Sequence, residues 1–148
     1  MKKILFIFLI SLMFFGCNQK YYEENVFYYE TSSWSEDFEK QSIFIINSKI
    51  KLEEYVNKDL NVLNEKYNED YFKDKSIVII YIVESSGSNS LKLKSFNINN
   101  GILDVVVKRF TPGPNEAGTC NIKYHHIVVE ISKEEALSID DYKLEIKE

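Results

Sequence analysis

Ser76-Ile-Val-Ile-Ile-Tyr-Ile-Val83 is the segment of this chain that most clearly indicates its fold. After its first serine it contains seven apolar residues in succession. A strand with one face in water alternates apolar and polar side chains, so an unbroken apolar run is typical of a strand that is covered on both faces. The sequence therefore predicts a sheet in which Ser76–Val83 is a central strand.

The residues that follow predict a β-hairpin. Leu91–Ile98 alternates in character, with Leu91, Leu93 and Ser95 expected on one face and Lys92, Lys94 and Phe96 on the other. The turn Asn99-Asn100-Gly101 comes next, and Asn-Gly supplies the positive φ angles that a tight hairpin needs. Ile102–Thr111 is the predicted partner strand. Leu103, Val105, Val107 and Arg109 are expected on one face of this strand.

The upstream segment predicts one more strand and the helices. Gln41–Asn47 is a short apolar, β-branched run between polar residues, which indicates a strand. Ser48 can cap a helix that we expect from Lys49 to Lys58, because the apolar residues there recur at helical spacing. A second helical or irregular stretch is expected over Leu60–Asp74.

The downstream segment predicts a long loop and then a further strand. Thr111–Thr119 contains two prolines and two glycines, which remove amide donors and add backbone freedom, so it is expected to be irregular. Tyr124–Ser132 is the next predicted strand. The tail around Tyr142–Ile146 and the segment Val26–Thr31 each allow an additional edge strand. The expected fold is α+β, with an antiparallel sheet of about five strands and one or two packed helices.

Composition limits the classes of function. Hydrophobic residues make up 45% of the chain and aromatic residues 14%, which is enough for one core in 148 residues. The net charge is −5, and removal of residues 1–16 takes away two lysines and no acid, leaving −7. Nucleic-acid binding needs clustered Lys and Arg, so that class of partner is excluded. The same acidity predicts that basic residues do not hold the chain at a membrane.

The first residues have the order of a secretory signal. Lys2 and Lys3 precede the apolar segment Ile4–Phe15, which leads to Gly16 and Cys17. The apolar segment is shorter than the roughly 20 residues of a transmembrane helix. A cysteine after a small residue at this place resembles the lipobox of bacterial lipoproteins, whose thiol is diacylated. The alternative is an ordinary secretory signal with an incidental cysteine.

This resemblance implies three regions. Residues 1–16 would be the signal peptide, residues 17–40 a tether, and residues 41–148 the α+β domain. Lipid on Cys17 would place the protein at a cell membrane or outer membrane, on the extracytoplasmic side, because two acyl chains anchor stably. The tether is rich in aromatic residues. A second interpretation of the tether is therefore that it binds a partner protein.

Candidate chemical groups are few. His125 and His126 are adjacent, and neighbours in a strand point to opposite faces, so we expect no shared metal ion. Cys120 is either a reactive thiol assisted by His125 or a small core residue. The chain contains no hydrolase elbow, phosphate loop or dinucleotide fingerprint. We therefore predict no enzyme activity, no cofactor and no metal site.

Two polar loops remain as candidate binding elements. Both Ser85–Ser90 and Thr111–Thr119 connect predicted strands, and a rigid sheet can present such loops to a partner. The other interpretation is that both loops only connect strands and face solvent without binding a partner. The residues predicted to contact a partner are Ser86, Gly87, Asn89, Pro112, Gly113 and Pro114.

The order of elements resembles the C-terminal domain of the PrcB-like protease complex subunit family. The resemblance covers Ile77–Ile131 and, upstream, Ile43–Asn57. The resemblance depends on the sequence Thr-Pro-Gly-Pro, which precedes a final strand that begins with Tyr124-His125. The chain departs from the family in one loop, where the family has Gly-Gly-Tyr and this sequence has Ser86-Gly87-Ser88-Asn89. It implies a secreted or lipid-anchored accessory subunit that binds an envelope protein, for which a protease is a candidate. The alternative is an inhibitor-like domain that inserts its loops into a protease cleft.

Overall fold

A computed structural model describes residues 23–33, 39–114, 116 and 118–148. The predicted signal peptide and Cys17 lie outside these ranges. Within them the chain forms seven strands: β1 (Val26–Thr31), β2 (Gln41–Ile46), β3 (Lys75–Glu84), β4 (Ser90–Asn99), β5 (Ile102–Phe110), β6 (Lys123–Ser132) and β7 (Asp141–Lys147). It also forms four short α-helices: α1 (Lys49–Tyr55), α2 (Asn61–Lys66), α3 (Tyr71–Asp74) and α4 (Lys133–Leu137). Short 3-10 turns lie at Glu23–Asn25 and Lys58–Leu60.

β3 is the central strand that the sequence predicts. It lies between β6 and β2 in an antiparallel four-stranded sheet of order β1-β6-β3-β2. Ile77 and Ile79 point to the helices, while Val78, Ile80 and Ile82 point to the opposite side. All five side chains are fully buried. The continuous apolar run is therefore explained by cover on both faces.

A second sheet provides the cover on one side of β3. It contains three strands in the order β4-β5-β7. β4 and β5 pair antiparallel, whereas β5 and β7 pair parallel. The core between the two sheets consists of Ile43, Val78, Ile80, Ile82, Leu91, Phe96, Leu103, Val105, Val107, Ile127, Val129, Ile131 and Ala136.

The α+β class is confirmed, but the predicted single sheet of about five strands is wrong. The described residues form seven strands in two sheets, because both optional edge strands are present: β1 pairs with β6, and β7 pairs with β5. β1 lies inside the segment predicted as a tether, and its six residues are part of the sheet. Alternation along a strand shows that one face is buried, but it does not show which sheet the strand joins.

The helices cover the other face of β3. The core on this side consists of Ile46, Leu52, Tyr55, Leu60, Leu63, Tyr67, Phe72, Ile77, Ile79 and Val128. Ser48 caps α1 as predicted, since its side chain accepts a hydrogen bond from the backbone N of Lys51. α1 ends at Tyr55 and not at Lys58, because Val56 is extended and Asn57 caps a new turn. Four helices replace the predicted one or two, and none within the described ranges is long and apolar enough to cross a membrane.

A β-bulge changes which residues of β4 face the core. The register with β5 shifts between Leu93 and Ser95. An extra residue in one strand reverses the faces of the residues that follow it. Phe96 is consequently buried in the core, where the simple alternation predicts Ser95.

The hairpin turn has the predicted geometry. Asn100 and Gly101 have φ angles of 50° and 79°. The Gly101 carbonyl accepts hydrogen bonds from the backbone N of Asp140 at 2.7 Å and of Asp141 at 3.2 Å. The turn therefore also holds the start of β7.

We predict that Gly101→Ala lowers the free energy of unfolding by about 1 to 2 kcal/mol, because an L side chain is strained at positive φ. The added Cβ would also lie 2.5 Å from Oδ2 of Asp140. Gly113→Ala is the matched control, since a Cβ there meets nothing within 4 Å. Chemical denaturation followed by circular dichroism measures both, and equal losses in the two variants would contradict this explanation.

Candidate functional site

The two predicted binding loops lie together at one end of the sandwich. The backbone N of Gly87 donates to the Thr119 carbonyl at 3.2 Å. The backbone N of Thr119 donates to Oγ of Ser88 at 2.7 Å, and Oγ of Ser86 donates to the Thr119 carbonyl at 3.4 Å. The β3–β4 loop and the β5–β6 loop are thus joined by hydrogen bonds between residues 31 to 33 positions apart. We call this pair of loops the joined loops.

Gly87 is the residue that allows this approach. A Cβ at Gly87 would lie 2.5 Å from Oγ1 of Thr119 and 3.1 Å from the carbonyl oxygen of Asn121. Real Cβ atoms essentially never lie within 3.0 Å of another heavy atom, so a larger residue here must displace the Thr119 side chain and shift the Asn121 carbonyl. The single glycine retained in this loop therefore has a structural role at the junction.

The proline segment forms the exposed tip of the joined loops. The backbone N of Glu116 donates to the Gly113 carbonyl at 2.9 Å, and the backbone N of Gly113 donates to Oε2 of Glu116 at 3.2 Å. These bonds close a tight turn that includes Pro114. Gly113 and Pro114 are exposed, and Pro112 is half-buried. The turn is thus held by local bonds while its outer surface faces solvent.

A buried ion pair lies beneath the joined loops. Glu84 ends β3 and is 3% exposed, and its carboxylate accepts from Nη2 of Arg109 at 2.7 Å and from Nε of Arg109 at 3.1 Å. Nδ2 of Asn89 donates to the same carboxylate at 2.7 Å. Asn89 therefore ties its loop to the ion pair, although it was predicted to contact a partner. Charge-assisted bonds of this kind give a defined geometry.

The sequence places Arg109 on the same face of its strand as Leu103 and Val107, but it does not identify the partner of Arg109. One feature of the sequence could have indicated this ion pair: Glu84 comes directly after the apolar run of β3. A charge that terminates a buried strand needs a partner, because desolvation without one is costly.

Further polar groups flank the ion pair on β1 and β6. Nδ1 of His125 lies 3.4 Å from Oε1 of Glu30, and Nζ of Lys123 lies 2.8 Å from Oε2 of Glu30. His125 is 4% exposed, and its Nε2 has no hydrogen-bond partner among the described residues. Burial lowers the pKa of His125, and the nearby carboxylates of Glu30 and Glu84 act in the opposite direction. The ring is therefore neutral near pH 7.

His126 points to the opposite face, as predicted from its place beside His125. Nδ1 of His126 lies 2.8 Å from the Tyr55 hydroxyl, and Nε2 lies 3.3 Å from Oγ1 of Thr31. Each hydroxyl can donate or accept, so either neutral tautomer is satisfied. His126 is fully buried, and burial, together with the neighbouring His125, lowers its pKa to about 3. His126 thus links β1, the helices and β6.

Cys120 lies exposed in the β5–β6 loop, and no contact joins it to the buried His125. The interpretation of Cys120 as a small core residue is therefore wrong, because the residue lies in an exposed loop before β6 begins at Lys123. Within the described ranges, no group of three or more His, Cys, Asp or Glu side chains is placed to hold a metal ion.

Comparison of the chain with protein-family models, with curated proteins and with solved structures finds no match. The resemblance to the PrcB-like domain and the roles it implies accordingly stay predictions from the motifs.

We predict that Arg109→Met lowers the free energy of unfolding by about 3 kcal/mol, because it leaves the Glu84 carboxylate buried without its partner. The double variant Glu84→Met with Arg109→Met removes both charges and should lose markedly less. Chemical denaturation of the two variants and the wild type checks this difference. A double variant as unstable as the single one would mean that the ion pair is a net stabilising contact.

We predict that acid lowers stability through His126. The folded state keeps this ring neutral, while the unfolded state takes up a proton below about pH 6.5, so the stabilisation is complete above that pH and is lost as the pH falls toward 3. At pH 5 the expected loss is roughly 2 kcal/mol. His126→Gln cannot titrate, so its stability should depend less on pH than that of the wild type. Identical pH profiles in denaturation experiments would contradict the assignment.

Proposed function

We propose that this chain is a lipid-anchored lipoprotein of the bacterial cell envelope and a non-enzymatic accessory subunit that binds another envelope protein. The anchor is lipid on Cys17, supported by the order of the first seventeen residues. The binding element is the joined loops. A protease is a candidate partner because of the resemblance to the PrcB-like family.

The observation that carries the binding role is the connection between the two loops. Loops that order on binding lose affinity through the entropy of ordering, whereas loops already held in place do not. Here Thr119 is bonded to three consecutive residues of the other loop, and the buried Glu84–Arg109 pair holds the base. The result is a preorganised surface at one end of a rigid sandwich.

One observation favours an inhibitor-like role as a second candidate. The turn closed by Gly113 and Glu116 projects from the joined loops, and its side is open to solvent. An exposed turn next to a second loop is the shape that enters a protease cleft. Inhibition of a co-purifying protease by an equimolar amount of the protein would favour this role over that of a passive subunit.

We predict that Gly87→Val weakens capture of the envelope partner. The substitution forces Thr119 and Asn121 away and separates the joined loops without removing an exposed side chain. We expect a loss of about tenfold in affinity, corresponding to roughly 1.4 kcal/mol. The measurement is crosslinking in native membranes, followed by identification of the bound proteins by mass spectrometry.

Asn100→Gly is the matched control for that experiment. It lies in the Asn-Gly turn at the other end of β4 and β5, and glycine accepts its positive φ. It should capture the same proteins as the wild type. The binding proposal would be rejected if every captured protein were retained by Gly87→Val, or if both variants lost the partner equally.

The anchor has a separate test. We predict that the protein extracted from membranes lacks residues 1–16 and carries acyl chains, and that Cys17→Ser abolishes this modification. Intact mass spectrometry of the two forms measures it directly. An unacylated wild-type mass would refute the lipoprotein assignment and leave the loop proposal standing.

A further inference from the structure

The outer face of the three-stranded sheet carries four exposed lysines near one another. In the register of the sheet, Lys92 lies opposite Lys108, and Lys108 lies beside Lys147. These three form one row across β4, β5 and β7. Lys94 lies at the bulge of β4 and lines the same groove. We call the surface formed by Lys92, Lys94, Lys108 and Lys147 the lysine face.

This arrangement is electrostatically unfavourable by itself. Side chains directly opposite each other in a sheet are close, and like charges there are destabilising. Lys147 contacts Glu145 at 3.3 Å, whereas Lys92, Lys94 and Lys108 form no ion pair with a described carboxylate. The chain has 23 acidic and 18 basic residues, so the clustering runs against its composition. A bound anionic surface would relieve the repulsion.

The lysine face also has an apolar contribution. Phe110 ends β5 and is 45% exposed, and Nζ of Lys108 lies 5.2 Å from the centre of its ring. Leu93 and Val106 lie with Phe110 among the lysines in a shallow groove of about 670 Å³. Exposed lysines around an aromatic side chain are typical of surfaces that bind the headgroup region of a membrane.

We propose that the lysine face binds anionic phospholipid headgroups, so that the outer side of the three-stranded sheet lies against the membrane. This inference rests on the proposed lipid anchor. Cys17 is six residues before the 3-10 turn that begins at Glu23 and leads into β1, and six extended residues span at most roughly 20 Å. β1 belongs to the other sheet, and packed sheets are about 10 Å apart. The tether is therefore long enough for the membrane to contact the lysine face.

The net negative charge of the chain does not prevent this contact. Acidic residues on this face are matched by lysines, since Asp104 is opposite Lys143 in register and Glu145 contacts Lys147 at 3.3 Å. At physiological ionic strength the Debye length is about 8 Å, so charges on the far side of the sandwich are screened. In the proposed contact the local lysines determine the interaction with the headgroups, while the lipid on Cys17 is the anchor.

The test uses the full chain purified from membranes and reconstituted in vesicles. One set contains phosphatidylcholine alone, and the other an equal mixture with phosphatidylglycerol. A water-soluble amine reagent labels exposed lysines, and mass spectrometry quantifies each site. Labelling of Lys92, Lys108 and Lys147 should fall severalfold in the anionic vesicles and recover in about 1 M salt, where the Debye length is about 3 Å.

Two triple variants with the same change in net charge distinguish an effect of the lysine face from an effect of total charge. Lys92→Gln, Lys108→Gln and Lys147→Gln together should restore labelling of Lys94 in anionic vesicles. The control replaces Lys51, Lys73 and Lys75, which are exposed on or beside the helices, and it should leave Lys94 protected.

Equal labelling in both vesicle types would overturn the proposal. Protection by a soluble acidic polypeptide in phosphatidylcholine vesicles, without an effect of anionic lipid, would also overturn it and indicate an acidic protein partner. The intact mass of the same sample distinguishes failure of the lysine-face proposal from failure of the lipid-anchor proposal. Acylated protein without protection rejects only the lysine face, whereas unacylated protein without protection rejects the anchor as well.

Discussion

The layers of this fold are arranged around β3, which is buried on both faces. From Ile77 to Ile82 every side chain is removed from water, so two separate layers are required to cover this one strand. Helices provide one layer, and the three-stranded sheet provides the other. At about 25 cal/mol per Å² of apolar surface, this burial is a dominant contribution to folding. With a single cysteine within the described ranges, no disulfide there assists it.

The polar groups at the ends of β3 and its neighbours follow from the same packing. Where β3 leaves the core at Glu84, the two sheets are still in contact, so the carboxylate is buried and requires Arg109 from the opposite sheet. That pair fixes Asn89, and the hydrogen bonds of Thr119 fix the second loop. The proposed binding surface is thus a consequence of how the core ends. This explains why a loop rich in Ser and Asn has a defined shape.

The net charge of the chain does not predict the charge of each of its surfaces. The chain is acidic overall, yet pairing of β4, β5 and β7 aligns Lys92, Lys108 and Lys147 in one row. These residues are up to 55 positions apart along the chain, and only the register of the sheet brings them together. The folded chain therefore has two distinct surfaces. One is the pair of loops joined by hydrogen bonds at one end, and the other is the basic surface on the outer side of the smaller sheet. In the proposed arrangement, the membrane and the protein partner contact different parts of the molecule.

Elements that depend on neighbouring residues could be predicted from the sequence. The apolar run of β3, the Asn100-Gly101 turn, the Ser48 cap and the irregular proline loop are all set by local sterics and hydrogen bonding, and all are found as predicted. The assignment of strands to two sheets, the parallel pairing of β7 and the burial of Phe96 after the bulge became known from the folded chain alone. The same holds for the Glu84–Arg109 pair and the joining of the loops through Gly87. These features arise from contacts between residues distant in the chain, and the pattern along a strand carries no information about which distant strand lies beside it.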